Sequence, residues 1–208
     1  MKQTNQSGTA ARSHGRRAFT IVELLAVMLI MVIIMGIAIP AFDKLTMGSG
    51  VSASARVIGS QLRLTRQHAI TQREHVALLL PTTNLADVPE SAYTAFRPCI
   101  VDGGTLAFSS WIENTQWEFV PVGTVIAQVD DTGGLGTNNP AQIVTDVPDG
   151  AGTVSVRAVI FRPTGRIHGS FQQFVTLAEG SAVAGITNNA NTLDIRVDQY
   201  TGRISYED

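Results

Sequence analysis

Cysteine is nearly missing from this chain: its 208 residues contain one, Cys99. No intramolecular disulfide can form, so the folded part must be held by its own core, in whatever compartment it works. Cys99 lies in the alternating run Tyr93-Thr94-Ala95-Phe96-Arg97-Pro98-Cys99-Ile100-Val101. A small buried or half-buried residue is expected there rather than a nucleophile. Catalytic signatures are missing too. There is no Gly-x-Ser-x-Gly, Walker A or Gly-x-Gly-x-x-Gly motif. The four histidines, His14, His68, His75 and His168, are scattered, without His-x₃-His or Cys-x₂-Cys spacing. The expectation is therefore no enzyme, no cofactor and no metal.

Charge is also scarce, at 15% of residues against a usual value of about 25%. The shortage is local. None of the nineteen residues from Leu24 to Phe42 is charged, which excludes a simple soluble cytoplasmic domain and most disordered classes. The overall balance of 15 basic and 17 acidic residues hides a further asymmetry. Residues 1–18 carry Lys2, Arg12, Arg16 and Arg17 and no acid, so the remainder has 11 basic against 17 acidic residues, net −6. An acidic body has no general attraction for nucleic acid, and nucleic-acid binding is not expected unless a local basic patch supplies it.

What is present begins with the apolar segment. As a helix, the 24 residues from Phe19 to Phe42 reach about 36 Å, enough to cross a hydrocarbon core of about 30 Å with some tilt. The arginines just ahead of it favour a cytoplasmic N-terminus, leaving the rest of the chain outside the cytoplasm. A secretory signal peptide would have a shorter apolar run, closed by a small-x-small site. An uncleaved anchor explains the length but not Glu23, a carboxylate that is costly inside a membrane without a partner. Pro40 favours a kink or local melting.

Arg16-Arg17-Ala18 followed by Phe19-Thr20-Ile21-Val22-Glu23-Leu24-Leu25 resembles the processing site of type IV prepilins and type II secretion pseudopilins. The resemblance implies cleavage by a prepilin peptidase between Ala18 and Phe19, followed by N-methylation of Phe19. Glu23 and Pro40 then match positions where the family has Glu and Pro. The family usually has Gly where Ala18 stands; alanine is small, and processing is still expected. In the family, the glutamate of an incoming subunit is thought to pair with a newly made amine, which assigns Glu23 and Pro40 to subunit assembly. In low dielectric such a pair attracts strongly, and either charge left alone is expensive.

Beyond Phe42, Val51, Ala55, Ile58, Leu62, Thr65 and Ala69 recur at spacings of four and three, an amphipathic helical period. Arg56, Arg63, Arg66 and Arg73 line the polar side, and with no interleaved aromatics they read as a solvated face. Gly48-Ser49-Gly50 and Gly59 weaken the expectation of one continuous helix to about Arg73. Strands are then expected over Glu74–Leu80, Tyr93–Val101, Gln116–Val120, Thr124–Val129, Thr153–Phe161, Gln172–Leu177, Thr192–Val197 and Arg203–Tyr206, separated by Gly- and Pro-containing turns. The acidic, Gly-rich stretch from Val129 to Pro140 has oxygens for Ca²⁺ but lacks EF-hand spacing, and a surface loop is expected.

The expected fold is α+β: a long N-terminal helix, half transmembrane and half amphipathic, packed on an antiparallel β-sandwich-like C-terminal domain. The expected segments are a leader (1–18), a transmembrane and assembly helix (19–42), its amphipathic continuation (43–73) and a periplasmic β-rich domain (74–208). Phe161-Arg162-Pro163-Thr164-Gly165-Arg166 with Phe171–Leu177, the ending Leu193–Ile204, and Arg66-Gln67-His68-Ala69-Ile70 resemble the H-class minor pseudopilins and their FimT-like pilin relatives. The single cysteine departs from the disulfide-bounded loop of many major pilins, and Glu23 departs from the tip-class pseudopilin.

That resemblance implies a minor pseudopilin of a type II secretion system, held in the bacterial inner membrane by one span and assembled into a periplasmic pseudopilus that supports export across the outer membrane. Its partners would be the prepilin peptidase, other pilin-like subunits and an assembly platform with a cytoplasmic ATPase. The alternative is a FimT-like minor pilin of a type IV pilus that engages DNA, with Arg162 and Arg166 at the centre of a contact that also draws on Arg157, Arg196 and Arg203. A membrane-anchored periplasmic enzyme is a third reading, for which no site stands out.

Overall fold

The computed structural model describes the backbone of residues 20–130, 142–150 and 152–207, and the side chains of the same residues except 37–49. The chain divides into two units, Met1–Phe42 and Asp43–Asp208, and helix α1 (Ile21–Gln72) contributes to both. Thr20 opens α1. Its side-chain oxygen accepts the Glu23 N–H at 3.2 Å and its carbonyl accepts the Leu24 N–H at 3.2 Å, an N-cap. Arg73 closes the helix in a left-handed conformation, φ 59°, in the position where the chain leaves a helical path. The helical backbone runs without interruption through Pro40, Gly48-Ser49-Gly50 and Gly59. The glycines, which weaken the expectation of one continuous helix, do not break it. At Gly59 the reason is spatial: an added Cβ would overlap the Tyr206 hydroxyl, so glycine there admits a neighbour.

In the second unit, α1 buries the predicted stripe. Val51, Ala55, Ile58, Leu62, Thr65 and Ala69 are each 0–2% exposed, while Arg56, Arg63 and Arg73 face solvent. Burying side chains the size of Ile58 and Leu62 stabilises by about 2–3 kcal/mol each. Thr65 is the polar member of the stripe, and its hydroxyl is satisfied by the Gln61 carbonyl at 2.7 Å.

Among the described residues, ten strands form two antiparallel sheets. One contains β1 (His75–Leu79), β2 (Ala95–Val101), β3 (Phe108–Trp111), β4 (Glu118–Phe119), β6 (Gln142–Asp149) and β7 (Gly152–Phe161), in the order β3-β2-β1-β7-β6 with β4 beside β2. The other holds β5 (Thr124–Asp130), β8 (Gln173–Ser181), β9 (Gly185–Val197) and β10 (Ile204–Glu207), in the order β10-β9-β8-β5. β1 is central to its sheet, and its apolar run is divided by the pleat. Val76 and Leu78 join the core under α1, with Val159, Phe161, Val175, Leu177, Ile195 and Val197. Ala77 and Leu79 join a second core with Cys99, Val144, Val156 and Ile160. A continuous apolar strand is what burial on both faces requires.

No strand is expected from the sequence over β3 or β6. β6 carries Pro148 and a register shift between Val144 and Val147, both typical of an edge strand. β9 begins seven residues earlier than expected. Its Asn-rich first half is held by the Glu179 carboxylate, which accepts from the side-chain amides of Asn188 and Asn191.

Candidate assembly helix and head surface

Ala18 and Phe19 lie outside the described residues, and so does the bond between them. Just beyond, Thr20-Ile21-Val22-Glu23 has the S/T-x-x-E form of a capping box. Glu23 stands exposed in the first helical turn, where a carboxylate complements the helix dipole. From Ile21 to Met35 every large apolar side chain is exposed, from Val27 at 46% to Ile21 at 84%. A helix apolar on every side is stable only inside something else apolar, either lipid or other helices. Among the described residues no helix is long and apolar enough to cross a membrane. Pro40 lies in the helical backbone, with its side chain among those not described.

On the head, two Thr-Gly-Arg turns meet. In the first, the Gly165 N–H donates to the Arg162 carbonyl at 2.8 Å and the Arg162 N–H to the Arg166 carbonyl at 2.8 Å. In the second, the Gly202 N–H donates to the Asp198 carbonyl at 2.8 Å. The Asp198 carboxylate accepts from the Thr201 hydroxyl and the N–H groups of Thr201 and Tyr200. Those hydrogen bonds, led by the Thr201 hydroxyl, hold Asp198 below the ordinary carboxylate range. Gly165 and Gly202 have φ of +76° and +62°, and a Cβ on Gly202 would overlap the Gly165 carbonyl. Arg66 of α1 binds the junction, its Nε–H donating to the Gly165 carbonyl at 3.0 Å.

This geometry sorts the five arginines of the DNA-binding alternative. Arg162, Arg166 and Arg203 are exposed and flank the touching turns. Arg196 is engaged with Glu207 at 3.0 Å. Arg157 is half-buried on β7, five residues and about 16 Å along the strand from Arg162. The structure therefore assembles three of the five, and adds the turn-binding Arg66, which sequence reading placed on a solvated face. The repeated Thr-Gly-Arg was the signal that could have tied the two turns together.

Beside this junction the His75 and His168 rings meet edge-on, with centroids 5.8 Å apart. Burial, followed by the nearby charges of Arg162 and His75, holds His168 below its ordinary value. Cys99 is fully buried, and burial pushes its thiol up to about 12, with Arg97 opposing the shift. Residues 131–140 of the candidate calcium loop lie outside the described residues. Among the described residues, no group of three or more His, Cys, Asp or Glu could hold a metal ion.

Residues 13–39 match the family model for the prokaryotic N-terminal methylation motif. The motif opens on a capped helix that is apolar all round. The motif implies processing by prepilin peptidase and assembly with other pilin-like subunits. No protein of curated function matches the chain by sequence. Among solved structures, the chain is similar to the type IV minor pilin FimU of Pseudomonas aeruginosa, with 9% identity and a TM-score of 0.46 over 76% of this chain and 88% of that one. It is also similar to the minor pseudopilin EpsH from the type 2 secretion system of Vibrio cholerae, with 11% identity and a TM-score of 0.44 over 76% of this chain and 96% of that one.

Proposed function

We propose that the chain is a minor pseudopilin of a type II secretion system. The observation that carries this reading is the methylation motif set directly before a helix that is apolar on every side and bears one carboxylate in its first turn. In this reading the peptidase cuts between Ala18 and Phe19, Phe19 is methylated, and the new amine offers a positive charge to the Glu23 of a neighbouring subunit. The apolar helix serves twice, first as a single span of the inner membrane with the head in the periplasm, then as part of the filament core. The work of extension comes from a cytoplasmic ATPase acting through the assembly platform. The head's Phe161–Arg166 hairpin and its Leu193–Ile204 ending support the H-class assignment by their sequence.

The second reading, a FimT-like minor pilin that engages DNA, is favoured by one observation: Arg162, Arg166 and Arg203 stand exposed around two touching turns. A deletion strain separates the two. Loss of folded exoproteins from the medium with pili intact supports secretion; loss of pili or of DNA uptake with secretion intact supports the alternative. Mass spectrometry of the mature N-terminus tests the shared step, and an intact Met1 would defeat it.

A further inference from the structure

Two tips of the head are uncharged and protrude. The first, between β4 and β5, carries Val122 at 103% exposure beside Phe119 at 49%; the second, between β8 and β9, carries Val183 at 89%. They are neighbours, joined by the Gly180 N–H donating to the Gly123 carbonyl at 3.0 Å, and together with Thr94 and Glu90 they rim a shallow depression of about 270 Å³. Each belongs to an uncharged run, residues 119–129 and 180–193. The first tip lies against α1 at Gly50, where an added Cβ would meet the Thr124 hydroxyl at 3.2 Å and the Val122 carbonyl at 3.9 Å.

We propose that these tips insert into the interfacial layer of the bilayer, seating the head on the membrane before assembly; this rests on the membrane-anchor reading above. Gly50 is eight residues beyond Phe42, the last residue of the uncharged run, so the tether cannot exceed about 29 Å even fully extended. On so short a tether the effective concentration of bilayer is high, and weak insertion suffices. Lipid fits better than a protein partner. A stable protein interface takes about 20–30 residues a side, whereas here a few apolar side chains project from two tips that carry no charge of their own, with Glu90 at the edge of the depression they share.

The buried, high-pKa Cys99 leaves an introduced thiol as the reactive one, and Val122 and Val183 are exposed enough for cysteine to leave the fold intact. Full-length Val122→Cys, Val183→Cys, Thr164→Cys and Leu29→Cys, each carrying an environment-sensitive fluorophore, are reconstituted into phosphatidylethanolamine–phosphatidylglycerol vesicles. The lipids bear quenchers at shallow or deep positions. The expected result is loss of emission at 122 and 183 with shallow quencher, none at 164, and deep quenching at 29. Deep quenching at 29 with 122 and 183 reached only by aqueous iodide overturns the tip proposal and leaves the anchor standing. No lipid quenching at 29 removes the anchor reading, and the tip proposal with it. Shielding of 122 and 183 from iodide without lipid quenching, growing with protein density, assigns the tips to contacts between copies and also overturns the proposal.

Discussion

The Gly202 backbone lies directly against the Gly165 carbonyl, which leaves no room for a side chain at position 202. A Cβ on Gly165 would itself stand 2.7 Å from the Ile70 side chain. Gly202→Ala therefore combines a left-handed backbone with a steric overlap, and is expected to cost about 2 kcal/mol or more. In a domain of this size that lowers Tm by roughly 4–8 °C. Arg66→Ala removes the Nε–H bond to the same carbonyl at about 1 kcal/mol. A double-mutant cycle of the two by thermal melting is expected to be non-additive; strict additivity would mean that Arg66 and the turn contact act independently.

Thr20 and Glu23 separate capping from charge. Thr20→Ala is expected to weaken the first turn of α1 by about 1 kcal/mol, with Thr20→Ser restoring it. Glu23→Gln keeps an N3 side chain able to complete a capping box but removes the charge. If the carboxylate acts in assembly, Glu23→Gln is processed normally yet enters filaments poorly, as does Glu23→Ala. Quantifying mature subunit in sheared filaments against mature subunit in membranes checks this; normal incorporation of Glu23→Gln would remove the charge from the account.

His168 predicts a pH dependence. Its folded pKa lies below the unfolded value of about 6.5, so the unfolded chain binds more protons between the two. The stability this ring contributes is complete above about pH 6.5 and is lost as pH falls through the folded value. Tm is expected to fall between pH 7.5 and 5, and His168→Gln to flatten that fall. Asp198, depressed from the ordinary carboxylate value of 3.8, acts lower: its contribution is present above that value and disappears on further acidification. Asp198→Asn should leave the slope near pH 6 untouched.

Cys99 should be silent in the native state. With the thiol buried and its pKa at about 12, thiolate is negligible at pH 8. A thiol-specific reagent is expected to react only after denaturant unfolds the head. Stoichiometric reaction in buffer would show that the second core opens easily.

Much of the fold was legible in the sequence because α1, β1 and β7 carry strong periodic signals. The stripe from Val51 to Ala69 is a plain helical period, and Val76–Leu80 a plain buried strand. β6 was not legible because Thr145, Asp146 and Pro148 read as turn chemistry, which an edge strand tolerates. The Asn-rich half of β9 depends on Glu179, twelve positions before the farther of its partners, Asn191, and no local window sees that bond. Gly59 misled for a related reason: a glycine that admits Tyr206 from the far end of the sequence looks, locally, like a helix breaker. In the candidate site, Glu23 was legible from its motif, whereas the grouping of Arg66, Arg162, Arg166 and Arg203 depended on two turns meeting in space.

Tyr206 sets a schedule. Its ring leans over Gly59, its hydroxyl accepts from Arg63 at 3.3 Å, and the Arg63 guanidinium lies 5.7 Å from the ring centre. These partners are 143 residues apart in sequence. Contacts of such separation form late, because the intervening chain must be ordered before they can close. In a chain made from its N-terminus, the helix is complete long before the strand that seals it, and the head stays open until β10 arrives.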